Sequence, residues 1–299
     1  MSIVVVGFDM ARELPRTLLS LSPGYQRGVD GTDYEVIVVD NGSPEPLDGD
    51  LLERFGGRLR IERIDPSMAS VSPAAAANRG LELAEADLIG MWIDGARLSS
   101  PGLLHHAWLA SRLGQKVVVA TLGWHLGPVV HMDSAGAGYD QAAEDGLLSD
   151  IDWPSDGYRL FEISTLARSS KRGWFGPMSE SNAVFLARSH WDELGGLDER
   201  FESAGGGMVN HDLYRRACDG PGAQLAVLLG EGTFHQYHGG AATSGLSDRD
   251  AMQEEYAAIR GRRYRPPANQ PMYVGSLSPP ALVALAESAR LASELTAGA

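Results

Sequence analysis

Residues 88–97 read LIGMWIDGAR. The first six positions are apolar or glycine, the composition of a strand buried on both faces, and the run ends abruptly on Asp94-Gly95-Ala96-Arg97. A carboxylate therefore stands where a strand leaves the core. In open α/β sheets ligands bind at that C-terminal edge, which makes Asp94 the first candidate functional residue. Asp-Gly is also a strong turn former, so a purely conformational role stands beside the functional one.

The segments before this stretch supply its setting. Ser2 to Phe8 (SIVVVGF) is a buried-strand run, and Pro15 to Leu21 (PRTLLSL) has helical spacing with proline where a first turn tolerates it. Tyr34 to Val39 (YEVIVV) is a second strand, closed by the turn cluster Asp40-Asn41-Gly42-Ser43. Leu59 to Ile64 alternates like a more exposed strand, and Ser72 to Ala86 reads as a helix with Ser72 as cap and Pro73 in its first turn. The order β-α-β, β, α-β argues for a parallel sheet covered by helices, with Asp40 and Asp94 at the same edge. Two carboxylates so placed suit a nucleotide diphosphate, one gripping ribose or base and the other a metal. The sequence has no GxGxxG and no GxxxxGK[ST], which removes the main support for dinucleotide-fold and P-loop readings.

Beyond Arg97, Pro101 to Leu113 has helical spacing and Lys116 to Leu122 is a further buried strand. The pattern weakens from Gly123 to Gly176, a section carrying Trp124, Tyr139, Trp153, Tyr158 and Trp174. Long irregular insertions often form binding loops whose aromatic rings stack on sugar faces; packing within the insert is the other use of such rings. Regular patterning returns with a strand at Ser181 to Ala187, short helices at Ser189 to Leu194 and Asn210 to Cys218, and a strand at Leu225 to Leu229. His235 and His238, three apart before Gly239-Gly240, are either a surface pair or a metal ligand and its neighbour. An extended segment would send them to opposite faces, so one ligand is expected. Asp248 to Arg260 is a charged helix. Arg260, Arg262, Arg263 and Arg265 form a basic run that either meets phosphates or is solvated. A Pro-rich connector and an amphipathic helix at Pro280 to Leu295, suited to docking or self-association, close the chain.

At 299 residues the chain is long enough for a sizeable α/β core. Its 39 acidic against 25 basic residues give a formal charge of −14, which argues against general affinity for nucleic acid or anionic membranes. Any phosphate-bearing substrate must then be met locally, by a few cations, backbone amides or a divalent metal. The single cysteine, Cys218, excludes an internal disulfide. The chain starts without a basic apolar leader and has no run approaching the ~20 residues of a membrane span, so a cytoplasmic protein is expected.

The N-terminal strand, PRTLLSL, YEVIVVDNGS, AAAANRGLELAEADLIGMWIDGA, FGPMSESNAVFLARSHWDELGGLDERF, the DLYRRA helix and FHQYHGG, in that order, resemble a family 2 glycosyltransferase of the GT-A fold over most of residues 1–240. The resemblance implies a mixed, mostly parallel sheet flanked by helices. It implies a Rossmann-like nucleotide-sugar-binding half at 1–122, an acceptor-binding half at 123–265, and a Pro-rich connector with a C-terminal helix at 266–299. It further implies a hexosyltransferase moving sugar from a nucleotide diphosphate donor, UDP-sugar first among them, to a hydroxyl of a glycan or small-molecule acceptor. Donor contacts carry over to Phe8, Asp9, Asp40, Asn78, Arg79, Asp94 and Arg97; Trp153 and Trp174 are candidate acceptor contacts.

Two departures from the family pattern stand out. Asp94 matches the first carboxylate of the Asp-x-Asp signature, but Ala96 replaces the second, which costs a hard oxygen ligand. His238 would then join Asp94 around Mg²⁺ or Mn²⁺, or Arg97 would supply positive charge instead. Asn210 stands where inverting relatives carry the base, and an amide cannot take that proton. Asp212 and Glu180 are the candidate bases. The double departure also motivates an alternative, a GT-A scaffold without transfer activity that serves as a binding or assembly module.

Overall fold

The computed structural model describes residues 1–45, 47, 50–134, 138–238 and 248–297. The first half runs β1 (Ser2–Gly7), α1 (Leu14–Leu21), β2 (Glu35–Asp40), α2 (Asp50–Phe55), β3 (Arg58–Arg63), α3 (Ala74–Leu83), β4 (Leu88–Trp92) and β5 (Arg97–Ser99). It continues α4 (Leu103–Ser111), β6 (Val117–Leu126), α5 (His131–Ser134), α6 (Gln141–Asp150), β7 (Ser164–Leu166), β8 (Ala183–Ala187) and α7 (Arg188–Leu194). Last come α8 (Val209–Asp219), β9 (Gln224–His235), α9 (Arg249–Arg260), β10 (Met272–Gly275) and α10 (Pro279–Ala297).

One sheet joins these strands in the order β10-β9-β6-β8-β4-β1-β2-β3, with β5 added antiparallel to β9 and β7 antiparallel to β6. Strands β1 to β4 pair in parallel, β8 is antiparallel to both β4 and β6, and β6, β9 and β10 are parallel again. Both faces are covered, which is why the strands read as continuous apolar runs. Val4, Val6, Ile37 and Val39 face one core with α3 and α8, whereas Ile3, Val5, Val36 and Val38 face the other with α1 and α4. The small face of α3 (Ala74, Ala76, Ala77, Gly80) lets that helix lie close on the sheet: a Cβ on Gly80 would stand 2.2 Å from Val4 Cγ1.

The register places the site. Gly7 pairs with Asp40, Asp40 pairs with Arg63, and Val5 pairs with Trp92, so the ends of β1, β2 and β4 emerge together. On the other side of the sheet, Arg97 and His125 both lie opposite His235, one rung across β5, β9 and β6.

Two expectations change. The section from Gly123 to Gly176 is largely regular, because β6 continues to Leu126 and α6 begins at a capping Asp140 that accepts the Ala143 N–H at 2.8 Å. The Pro-rich connector holds a strand, β10, paired in parallel with β9. Helix α10 docks through Ala281, Ala284 and Ser288, the last accepting the Trp174 N–H at 3.2 Å. Among the described residues no helix is long and apolar enough to cross a membrane. Gly239-Gly240 lies outside the described residues.

Candidate functional site

A cleft of about 1930 Å³ opens along the C-terminal edge of the sheet. One wall is Phe8 and Asp9 after β1, Asn41 and Gly42 after β2, and the loop around Pro66 to Val71. The floor is Asp94, Arg97, His125, His235 and His238, and the far wall carries Phe175 to Glu180, Asn210, His211, Tyr264 and Tyr273.

On the first wall, the Asp9 N–H donates to Ser43 Oγ at 2.9 Å, and Asp9 takes a left-handed φ of 52°, a conformation Asp tolerates better than most residues. Phe8 projects with 52% of its surface exposed. Asp40 is only 1% exposed and does not line the cleft. Its Oδ1 accepts the Ser43 N–H and hydroxyl, so it shapes the turn that presents Asn41 and Gly42 rather than meeting a ligand directly.

The floor is a knot of charge. Asp94 Oδ1 accepts the Ala96 N–H at 3.0 Å; its Oδ2 lies 2.9 Å from His235 Nε2 and 3.3 Å from Arg97 Nε. Burial pushes the Asp94 carboxyl up, but His235 and Arg97 outweigh it and hold it well below the usual carboxylate range. Arg97 is buried, and its Nε and Nη1 make no hydrogen bond. Buried guanidinium N–H groups without acceptors are costly unless something anionic completes them. The two histidines do not diverge as an extended segment would require. β9 ends at His235 and the chain leaves the strand, so the Nε2 atoms of His235 and His238 come within 3.1 Å and the ligand atoms of Asp94, His235 and His238 all lie within 4.8 Å of one another.

Several sequence candidates lie elsewhere. Asp212 is fully buried and away from the cleft: Arg260 grips both its oxygens at 2.5 and 2.7 Å, and Arg216 Nε lies 2.7 Å from Oδ2. It holds α8 to α9 and has no lone pair turned toward a substrate, so it is corrected from candidate base to structural ion cluster. Arg260 is thereby absorbed too. Trp153 and Trp174 are 5% and 0% exposed, Trp153 edge-on to Tyr25 and Trp174 donating Nε1–H to Leu228 O at 2.9 Å. They are core, not acceptor contacts, because the insert needs apolar mass to fold onto the sheet. Arg79 is half-exposed and paired with Glu62 and Glu82. Asn78 ties α3 to the 197–199 turn, donating to Leu197 O and Glu199 and accepting the Leu197 N–H. Neither residue reaches the cleft.

Glu180 does line it. The Asn210 amide donates to its Oε2 at 2.9 Å and His211 Nδ1 lies 3.3 Å from the same oxygen. Asn210 thus orients a carboxylate arriving from the neighbouring segment. Sequence reading missed His125 and His131, which sit six apart in the weakly patterned section; the only linear signal was their proximity to a strand end. It also missed Phe175 and Tyr273, an exposed edge-to-face pair with centroids 5.5 Å apart on the far wall.

No family model matches the sequence, and no curated protein matches it. Solved structures do. S. aureus TarS 1–349 in complex with UDP-GlcNAc superposes with a TM-score of 0.54 at 15% identity, covering 87% of this chain and 65% of that one. The mannosyltransferase PcManGT from Pyrobaculum calidifontis, in complex with GDP-Man and Mn²⁺, gives 0.52 at 16%, covering 100% and 75%. The architecture is that of the GT-A glycosyltransferases. Another TarS structure matches at 0.51 and 12% identity, and the chain spans 43% of its length. At such identities the likeness shows the fold.

Proposed function

We propose that this protein is a family 2 glycosyltransferase that moves a hexosyl group from a nucleotide diphosphate sugar to an acceptor hydroxyl. The observation that carries this reading is Arg97, a buried guanidinium ion-paired with Asp94 and with Nη1 lacking a hydrogen-bond acceptor, on the floor of a large cleft in a strongly acidic protein. A diphosphate bound there would give Arg97 Nη1 the anionic partner it lacks. Phe8, Asp9, Asn41 and Gly42 would line the base and ribose end, and UDP is the first donor to try. Phe175 and Tyr273 offer ring faces to an acceptor sugar.

His238 Nε2 lies 3.9 Å from Asp94 Oδ1, a separation that two ligands of one ion can have. Asp94 and His238 therefore fit a divalent cation. The mixed carboxylate and imidazole set favours Mn²⁺ over Mg²⁺, which prefers oxygen alone. When bound, the ion supplies positive charge to the leaving diphosphate. This chain's own residues do the rest: Glu180, oriented by Asn210, takes the proton as the acceptor oxygen bonds to the anomeric carbon. The bond from that carbon to the diphosphate oxygen breaks, and Arg97 meets the charge left on the diphosphate.

The test is consumption of UDP-, GDP- and dTDP-sugars with Mn²⁺ and a panel of glycan acceptors, read as nucleoside diphosphate released. A donor consumed by the wild type and not by Glu180→Gln supports the reading. If the wild type consumes none, the scaffold alternative takes its place.

A further inference from the structure

Residues 170–174 form a turn tied down at both ends. Ser170 Oγ accepts the Gly123 N–H at 2.9 Å, the Gly173 N–H donates to Ser170 O at 2.8 Å, and the Trp174 N–H donates to Ser288 Oγ at 3.2 Å. Ser170 and Trp174 are buried, whereas Lys171 and Arg172 between them are exposed and line the cleft. The anchored ends spare these two cations the backbone freedom of an ordinary surface loop, so less order has to be imposed when something binds them. Arg172 also lies against the segment that carries Phe175: a Cβ on Gly176 would stand 2.3 Å from Arg172 Cβ. Phe175 and Tyr273, edge to face with centroids 5.5 Å apart, line the same cleft at 38% and 40% exposure. Arg249, at the start of α9, lines it as well.

Lys171, Arg172 and Arg249 share a second property. Among the described residues, their side chains have neither an ion pair nor a hydrogen bond, although the chain offers 39 acids to 25 bases. The other bases of the cleft are engaged, Arg168 with Asp133 and Arg97 with Asp94. The acids of the cleft stand apart from the turn: Asp9 follows β1, Asp94 is on the floor, and Glu180 is held by Asn210 and His211. A single exposed cation is satisfied by water. Three of them in one cleft of an acid-rich protein, beside two exposed rings, make a surface that selects for negative charge.

We propose that the acceptor is an anionic glycan, with a sugar ring on Phe175 and Tyr273 and its phosphate or carboxylate groups against Lys171, Arg172 and Arg249. This rests on the transferase reading and names the acceptor class that reading leaves open. Ring faces bind charged and neutral sugars alike, so the cations supply the discrimination. The Arg172 guanidinium matches the paired oxygens that phosphate and carboxylate have in common, and Lys171 adds a point charge. Long-range attraction acts on every anion that enters the cleft, the donor included. Contact is decided by what stands beside each cation, and beside Arg172 that is the segment with the acceptor ring.

The test is calorimetric titration of the full chain, without nucleotide, with three oligosaccharides of matched length: oligogalacturonate, a phosphorylated mannan fragment and the same fragment without phosphate. The wild type should bind at least one anionic probe at least tenfold more tightly than the neutral one, and which probe it prefers separates carboxylate from phosphate. The double variant Lys171→Gln, Arg172→Gln should lose that preference. Arg262→Gln, Arg263→Gln removes the same charge from residues that do not line the cleft and should keep it. Equal loss in the two double variants, neutral glycan bound as tightly as both anionic ones, or no binding of either anionic probe by the wild type would overturn the proposal. A protein that releases nucleoside diphosphate from a donor yet shows no such preference refutes the acceptor class alone, whereas one that consumes no donor refutes the transferase reading itself.

Discussion

Asp212 and Glu180 show how two carboxylates near one helix part company. Asp212 is fully buried within an ion cluster with Arg216 and Arg260. Removing its charge leaves Arg216 to the Leu194 and Gly196 carbonyls and Arg260 to Asp198, so Asp212→Asn is expected to cost about 1–3 kcal/mol in urea unfolding. Glu180 lines the cleft, and Glu180→Gln should leave the urea midpoint in place while lowering turnover by about 10²–10⁴-fold. Glu144 sets a pH dependence. Burial pushes its carboxyl up to about 7 from an ordinary 4.5, against the opposing Tyr237 N–H and Arg12. The native state therefore holds a proton that the unfolded chain has released. The associated stability is fully present below about 4.5 and is lost as pH rises through about 7. Between pH 5 and 8 the wild type should lose on the order of 2–3 kcal/mol relative to Glu144→Gln, measured by urea unfolding at each pH.

At the scale of elements, α3 depends on its small face. An alanine at position 80 would gain about 1 kcal/mol of helix propensity, but its Cβ would lie 2.2 Å from Val4 Cγ1. The clash wins. Gly80→Ala should lift α3 from β1 and lower stability by about 1–3 kcal/mol in thermal or urea melts. Neighbours Trp174 and Phe175 divide in the same way: Trp174→Ala should cost about 3–5 kcal/mol, whereas Phe175→Ala, 38% exposed on the cleft wall, should raise the acceptor KM with stability unchanged. Most elements of the first half, all but α2 and β5, were legible because buried parallel strands write themselves as apolar runs and the turns between them as Asp, Asn, Gly and Pro. β10 was not: four residues among prolines, with alternating half-burial, carry too little pattern to register. The tryptophans of the insert misled because an aromatic side chain looks the same in a core and in a sugar site; only packing separates them. His125 and His131 were invisible for the opposite reason, since the pairing of β6 with β9 that brings them to His235 joins residues about a hundred positions apart.

For the whole molecule, a net charge of −14 surrounds a cleft lined by Arg97, Arg168, Lys171, Arg172 and Arg249. On the proposed reading these cations, set against Asp9, Asp94 and Glu180 in the same cleft, would draw an anionic donor there, and a cation at Asp94 and His238 would concentrate that attraction. The sheet brings the turns after β1 and β2, the floor from β4, β5 and β9, and the wall before β8 to one edge. Calorimetric titration of UDP- and GDP-sugars into the wild type, Asp94→Asn and Arg97→Gln, each with and without Mn²⁺, measures that convergence directly. Wild-type binding to at least one donor, strengthened by Mn²⁺ and weakened at least tenfold in both variants, is the predicted result; no binding of any donor by the wild type, or equal binding by all three proteins, would contradict it.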